Sequence, residues 1–179
     1  MEELQVRKLI VAACFVALMA ASAMASDRGD YPKAEVFGGY QYSHLEGGVN
    51  ANGFDINFNG NFNNYFGISA DLGSSFTTQQ GVSLHNYTYT FGPVLSLRAN
   101  RAYTPFVHAL VGGDHASASF GGVSATGNGM ALMAGGGVDF NINQHFSFRA
   151  AQADWMLMHN SGDTSSKNLR IVSGIVFRY

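Results

Sequence analysis

Beyond residue 25, apolar and polar residues alternate with a period of two along most of the chain, as in the run from Phe54 to Asn59. This spacing is typical of a β-strand whose two faces meet different surroundings. The strand near 106–111 is largely apolar on both faces, so its facing stays open, and the alternation shifts across 151–154, where a β-bulge is expected. The pattern predicts eight strands, close to residues 35–42, 54–59, 66–73, 87–92, 106–111, 130–140, 146–150 and 169–179.

The connections between these strands alternate in length. Long segments rich in Gly, Ser, Thr and Asn alternate with short ones, which is the layout of outer-membrane β-barrels. A sheet in hydrocarbon must also close, because an open edge leaves backbone groups without partners. We therefore predict an all-β fold, an eight-stranded antiparallel up-and-down transmembrane β-barrel. The expected long loops are 44–53, 76–85, 116–128 and 159–167, and the expected short turns are 61–65, 99–104 and 141–144.

The first 25 residues have the pattern of a cleavable signal peptide. Arg7 and Lys8 precede an apolar run at 9–21, and Ala23-Met24-Ala25 fits a small-x-small cleavage site. The run is shorter than the roughly 20 residues that a membrane-spanning helix needs. The expected organisation is a signal peptide at 1–25, a short periplasmic segment at 26–33, and an outer-membrane barrel domain at 34–179.

Composition narrows the class of protein further. Only 12% of the residues are charged, against about 25% in an average soluble domain. The net charge of −2 argues against nucleic acid as a partner. A soluble barrel that binds a ligand remains the structural alternative, because alternation alone does not say which face of the sheet is outside. In such a barrel the apolar residues would face inward. The export signal favours the outer membrane of a bacterium.

The last predicted strand carries Gly174, Phe177 and Tyr179, with the aromatic residue at the end of the sequence. This arrangement resembles the C-terminal signal by which bacterial outer-membrane proteins are recognised by their insertion machinery. It departs from that signal at Val172, where a polar residue is usual. The resemblance implies that the insertion machinery and periplasmic chaperones are partners during assembly.

Seven further segments, in this order and spacing, resemble a family of small bacterial outer-membrane barrels, similar in size to the OmpA transmembrane domain and OmpX. The resemblance covers nearly all of residues 34–179 and implies a barrel of this type without an assigned activity. The segments are AEVFGGYQY at 34–42, GNFNNYFG at 60–67, FGP at 91–93, TPF at 104–106, GGGVD at 135–139, RAAQADW at 149–155 and GIVFR at 174–178.

Charged residues on the polar faces of the strands predict an ionic network inside the barrel. Asp139 and Arg149 flank one short turn, and pairing of the first strand with the last brings Glu35 near Arg178. Buried charges must be paired, because an isolated one costs several kcal/mol. The predicted lumen network consists of Glu35, Asp71, Arg98, Asp139, Arg149, Asp154, Arg170 and Arg178.

Two other residue sets are candidate sites. The histidines at 44, 85, 115 and 159 fall at the outer ends of the predicted strands. They could bind a metal ion or sense pH, but their spacing fits no metal-ligand motif. Solvated positions at the rim of the barrel are therefore favoured. His159-Asn160-Ser161 has the His-x-Ser form of lipid A deacylases, but the glutamate downstream that those enzymes need is missing, and Asp163 is a poor substitute.

The favoured function is therefore a non-enzymatic structural or surface-interaction barrel with a lumen filled by side chains. A narrow channel for ions or small solutes is the alternative, and a lipid hydrolase is a lesser one. No catalytic residue, cofactor or metal is predicted. The expected partners are outer-membrane lipid and lipopolysaccharide, together with a possible surface ligand bound through the four long loops.

Overall fold

The computed structural model describes residues 31–79, 81–121, 123–160 and 162–179. The predicted signal peptide lies outside these residues. Within the described ranges, no helix has the length and apolar character needed to cross a membrane. The strands are β1 (Ala34–Leu45), β2 (Val49–Asn61), β3 (Phe66–Gln79), β4 (Val82–Ser96), β5 (Tyr103–Phe120), β6 (Val123–Asn141), β7 (Phe146–Asn160) and β8 (Asp163–Arg178).

The strands form a closed antiparallel barrel, which confirms the predicted fold class. Each strand pairs with the next along the chain, and β1 pairs with β8, so that Glu35 lies opposite Arg178. Closure leaves no edge with unpaired backbone groups. We call the end that carries the β2–β3, β4–β5 and β6–β7 connections the turn end. The opposite end, with the β1–β2, β3–β4, β5–β6 and β7–β8 connections, is the hairpin end.

The prediction of long loops at 44–53, 76–85, 116–128 and 159–167 is wrong, because most of these residues extend the strands. Strands β5 and β6, for example, remain paired out to Phe120 and Val123. Glycines of positive φ follow the ends of two of these strands, Gly121 (56°) after β5 and Gly162 (99°) before β8, where other residues are strained. The Ser-, Thr- and Gly-rich composition indicated loops, but backbone pairing holds these segments in strands beyond the apolar band.

The outer face of the barrel is apolar. Phe54, Ile56 and Phe58 of β2 point outward and are exposed, while Asp55 and Asn57 between them are buried inside. A continuous apolar surface of this kind suits hydrocarbon and not water, which argues against the soluble alternative. Exposed aromatic residues lie towards the turn end at Tyr65, Tyr103, Phe140 and Phe146, and towards the hairpin end at Tyr40, Phe76, Tyr87, Tyr89 and Trp155.

The structure settles the facing of β5 and the position of the irregularity in β7. Phe106, His108 and Leu110 are buried in the lumen, and the residues between them face outward. In β7 the pairing with β8 shifts between Arg149 and Gln152, where the bulge was predicted nearby, and again between Met156 and Met158. The first of these is the bulge in question. This bulge lies slightly before the predicted 151–154 segment, and it lets Arg149 and Gln152 both face the lumen.

Candidate functional site: the filled lumen

At the centre of the lumen, one guanidinium group bridges carboxylates from three other strands. Arg170 of β8 is completely buried. It donates hydrogen bonds to Asp55 Oδ2 at 2.9 Å, to Asp71 Oδ1 at 2.7 Å and to Asp154 Oδ2 at 2.8 Å. A further bond from Nη2 to Asp71 Oδ2 at 3.0 Å makes that pair bidentate. A single side chain of β8 therefore connects β2, β3 and β7 across the barrel.

Glycines that face inward make room for this cluster. A Cβ atom at Gly135 would overlap Asp154 Oδ1, and one at Gly73 would lie 3.2 Å from Arg170 Nη1. Side chains at these two positions would displace the ion pairs. The glycine run at 135–137 therefore has a packing role in the barrel wall.

His108 joins the cluster from β5. Its Nε2 atom lies 2.8 Å from Asp154 Oδ1, and both side chains are buried. Gln152 Nε2 donates to the other oxygen of the same carboxylate at 2.8 Å. Asp154 thus accepts hydrogen bonds from Arg170, His108 and Gln152, so both of its oxygens are engaged.

Arg149 forms the next level towards the turn end. It makes a bidentate pair with Asp139, at 2.8 Å from Nε and 3.1 Å from Nη2, and its Nη1 donates to Gln152 Oε1 at 2.7 Å. The rings of Phe37 and Phe106 lie on the guanidinium at 4.5 Å and 4.3 Å from their centroids, within cation–π range. With these contacts the Arg149 side chain is buried, with 2% of its surface exposed.

A third group of charges lies at the turn end. Glu35 Oε2 accepts a hydrogen bond from Arg98 Nη2 at 3.0 Å, and Glu35 Oε1 lies 3.1 Å from Arg178 Nε. Burial lowers the pKa of Arg98 from its ordinary value, and the Glu35 carboxylate opposes that shift. Arg178 also donates to Asn141 Oδ1 at 2.6 Å. This group ties the β1–β8 seam to the β4–β5 turn.

Apolar side chains complete the filling. Towards the hairpin end, Leu110, Met133, Met156 and Met158 form one buried cluster, with Leu45 packed against it. Nearer the turn end, Phe37 packs with Val172 and Val176 of β8. Charged and apolar groups therefore alternate along the axis of the barrel.

Seven of the eight charged residues of the predicted network face the lumen from the strands, and Arg98 reaches Glu35 from the β4–β5 turn. The structure distributes the eight over the Arg170, Arg149 and Glu35 levels. Sequence reasoning missed Asp55, His108 and Gln152 as members. Asp55 lies on the polar face of a clearly alternating strand, which was a usable signal. The facing of His108 was open, and the bulge obscured the facing of Gln152.

Comparison with known proteins decides the family. The profile described as outer membrane protein beta-barrel domain matches residues 11–173. The chain belongs to this family. It is an integral β-barrel protein of the bacterial outer membrane, in agreement with the apolar outer face and the closed sheet. A comparison with curated protein sequences found no match.

Solved structures of other outer-membrane barrels share the fold. The attachment invasion locus protein Ail of Yersinia pestis superimposes with a TM-score of 0.60 at 21% identity, covering 83% of this chain and 99% of Ail. Neisserial surface protein A gives 0.68 at 11%, with 82% and 96% covered. OprG of Pseudomonas aeruginosa gives 0.56 at 11%, with 83% and 96% covered.

Gly174, Phe177 and Tyr179, the residues of the predicted assembly signal, lie where β1 and β8 pair to close the barrel. Gly174 pairs with Gly39, where a Cβ atom would overlap the backbone of β1. Phe177 faces outward and contacts Phe146 edge to face, with ring centroids 5.4 Å apart. The backbone N–H of Tyr179 donates to Ala34 O at 2.8 Å. A role of these residues in recognition by the insertion machinery stays a prediction.

The four candidate rim histidines lie on the strands near the hairpin end, where His44, His85 and His159 are exposed and His115 is half-buried. Three have neighbouring polar partners: His44 Nδ1 lies 2.6 Å from Asn50 Oδ1, His115 Nδ1 lies 2.7 Å from Asn128 Oδ1, and His159 Nδ1 lies 2.8 Å from Thr164 Oγ1. His85 lies beside the ring of Phe76. Ser161 of the His-x-Ser segment is outside the described residues.

Proposed function

We propose that the protein is a non-conducting, non-enzymatic barrel with a structural or surface-interaction role. The observation that carries this proposal is Arg170, which crosses the lumen and binds carboxylates on three other strands. An interior of eight strands is only wide enough for side chains to fill. The apolar cluster around Met133 adds a barrier to ions on the hairpin side of Arg170.

Conductance in planar lipid bilayers tests the closed lumen. Purified protein is expected to give no discrete openings beyond those of a mock preparation from cells that lack the chain. Reproducible single-channel steps from the wild-type protein would overturn the proposal and favour the narrow channel.

The absence of catalysis is part of the same proposal. The polar groups around His108 bind one another, and its described partner is a carboxylate and not a hydroxyl nucleophile. His159 faces outward beside Thr164. We expect identical lipid A mass spectra from cells with and without the protein. Loss of an acyl chain on expression would instead support the lipid hydrolase.

The hairpin end is proposed as the surface that meets a partner. Ail has been crystallised with the heparin analogue sucrose octasulfate, but charge argues against a similar ligand here. Across 43–53, 75–86, 114–130 and 156–169, Lys167 is the only lysine or arginine in the sequence. At the tip of the longest hairpin, Phe120 and Val123 expose apolar side chains, and they favour an apolar partner surface.

Binding to intact cells tests this surface. Labelled heparin should bind equally to cells with and without the protein, because one lysine cannot hold a polyanion at physiological salt. Protein-dependent heparin binding that falls in a Lys167→Gln variant would contradict this account of the surface. The apolar outer face meets membrane lipid, and lipopolysaccharide and the insertion machinery are proposed as its further partners.

A further inference from the structure

Large side chains fill the middle of the barrel, but small ones face its interior near the hairpin end. The inward pair Leu110 and Met133 of β5 and β6 belongs to the buried apolar cluster. Further towards the tip, the inward positions of the same two strands border a cavity of about 320 Å³. These positions are occupied by Ala116, Ala118, Ala125 and Gly127. The cavity exists because alanine and glycine stand where leucine or methionine would fill the lumen.

The inner end of this cavity is closed. Leu45 lines the cavity and also packs against the apolar cluster around Met133, so that cluster forms the floor. Leu45 pairs with Val49 across the β1–β2 hairpin, and both line the wall together with Leu84 of β4. A molecule that enters from the hairpin end therefore meets apolar side chains on the walls and at the bottom.

Apolar surface continues from the cavity to the tip of the β5–β6 hairpin. Phe120 pairs with Val123, two positions beyond Ala118 and Ala125, so the two pairs lie on the same face of the hairpin. Phe120 is 62% exposed and Val123 is 75% exposed. The Phe120 ring also lies beside the β3–β4 turn, 3.5 Å from the place of a Cβ atom on Gly81. An exposed apolar surface that leads into an apolar cavity is typical of a ligand-binding site.

The charges around the cavity favour a neutral ligand. None of the described residues that line it is Asp, Glu, Lys or Arg, and the side chain of His85 is exposed. The charged residues nearest to the lining in the sequence are Glu46, next to Leu45, and Asp114, two residues from Ala116. An apolar wall disfavours any charged ligand, and these two carboxylates repel an anion in particular.

We propose that the cavity binds a neutral hydrophobic molecule of about eight to twelve carbon atoms, which enters from the hairpin end. A cavity of about 150 Å³ takes up benzene, so roughly twice that volume suits a molecule of this size. The volume also lies at the lower end of the range for small-molecule sites. Binding removes apolar surface of the cavity and of the ligand from water, and the hydrophobic effect supplies the free energy.

Titration of the ¹⁵N-labelled full barrel in lipid nanodiscs with 1-octanol tests the site. The backbone amides of Ala116, Ala118 and Gly127 should shift and saturate with free octanol, whereas amides on the lipid-facing side of the wall should not saturate. From 1-butanol to 1-octanol the affinity should rise about fourfold per methylene, the effect of burying one such group. Octanoate at pH 8 keeps the chain and adds a negative charge, so it should bind about tenfold more weakly or worse.

Filling the cavity provides a second test. The double variant Ala118→Leu/Ala125→Leu adds two bulky groups where the octanol chain lies, so its affinity for octanol should fall by about tenfold or more. Ala109→Leu/Ala134→Leu is the matched control, because these alanines also pair between β5 and β6 but are exposed on the outer face. Both double variants must keep the different gel mobilities of boiled and unboiled protein that show an intact barrel.

Three outcomes would overturn the proposal. The first is a lack of saturation at the cavity amides, which would indicate that octanol only enters the lipid. The second is binding of octanoate or n-octylammonium as tightly as octanol, and the third is an unchanged octanol affinity in the cavity-filling variant. The site goes beyond the proposed function and does not rest on the closed lumen, so single-channel steps in the conductance test would leave a positive octanol result standing.

Discussion

At the residue scale, the packing of the lumen depends on buried charged side chains that form ion pairs with one another. Arg170 has no exposed surface, and neither have its partners Asp55, Asp71 and Asp154. In such surroundings a guanidinium cannot be exchanged for an ammonium, because its planar donors bind several carboxylates at once. The cost of burying these groups is offset only while the set is complete.

Replacing Arg170 with methionine is expected to destabilise the barrel strongly. The substitution leaves three carboxylates buried without their shared cation, and losing one partner of a buried pair costs about 3–5 kcal/mol. Urea unfolding of the refolded protein in micelles measures this loss as a lower midpoint. Arg101→Met, at an exposed arginine, is the control, and equal midpoints for the two variants would contradict the role of Arg170.

At the element scale, alternation predicted the strands well where one face meets lipid. Phe54–Asn59 shows this best, because the opposite demands of hydrocarbon and lumen separate its residues clearly. Alternation did not predict the strand ends at the hairpin end. Both faces of β5 and β6 lack an apolar band there, and these segments are strands because their backbones pair with each other. It also left the facing of His108 open, since apolar side chains fill the lumen at that level as well.

The β1–β2 turn and β8 are joined at the hairpin end by a contact that depends on pH. The Glu46 carboxylate accepts a hydrogen bond from the Ser166 N–H at 3.0 Å. The Ser165 side chain, together with the backbone of Ser166 and Lys167, lowers the pKa of Glu46 below its ordinary value. A lowered pKa in the folded state means that the contact stabilises above the ordinary pKa and is lost as the pH falls through the lowered one.

Amide hydrogen exchange at Ser166 follows this contact. After correction for the intrinsic rate, protection should decrease in the wild type as the pH falls below the ordinary range of a glutamate. Glu46→Gln keeps an acceptor oxygen and removes the titrating group, so its protection should not change over the same range. The same pH dependence in both proteins would show that another group is responsible.

At the scale of the whole molecule, the barrel is apolar outside, and its buried charged groups lie inside, between apolar clusters. The family profile and the closed sheet place it in the outer membrane, and the packed levels around Arg149 and Arg170 fill its axis. The lipid-facing surface follows from the sequence pattern. The interior contacts depend on which polar faces the closed sheet brings together, so the partners of Arg170 became known only from the structure.

The most direct test of the filled lumen is hydrogen exchange at the arginine side chains, measured by NMR on the protein in lipid nanodiscs. The Nε–H of Arg170 donates to Asp154 and is shielded from solvent, so its signal should persist after transfer to D₂O. The exposed Arg101 should lose its Nε–H signal at once under the same conditions. Loss of the two signals at the same rate would show that water reaches Arg170 freely, which contradicts a lumen closed by side chains.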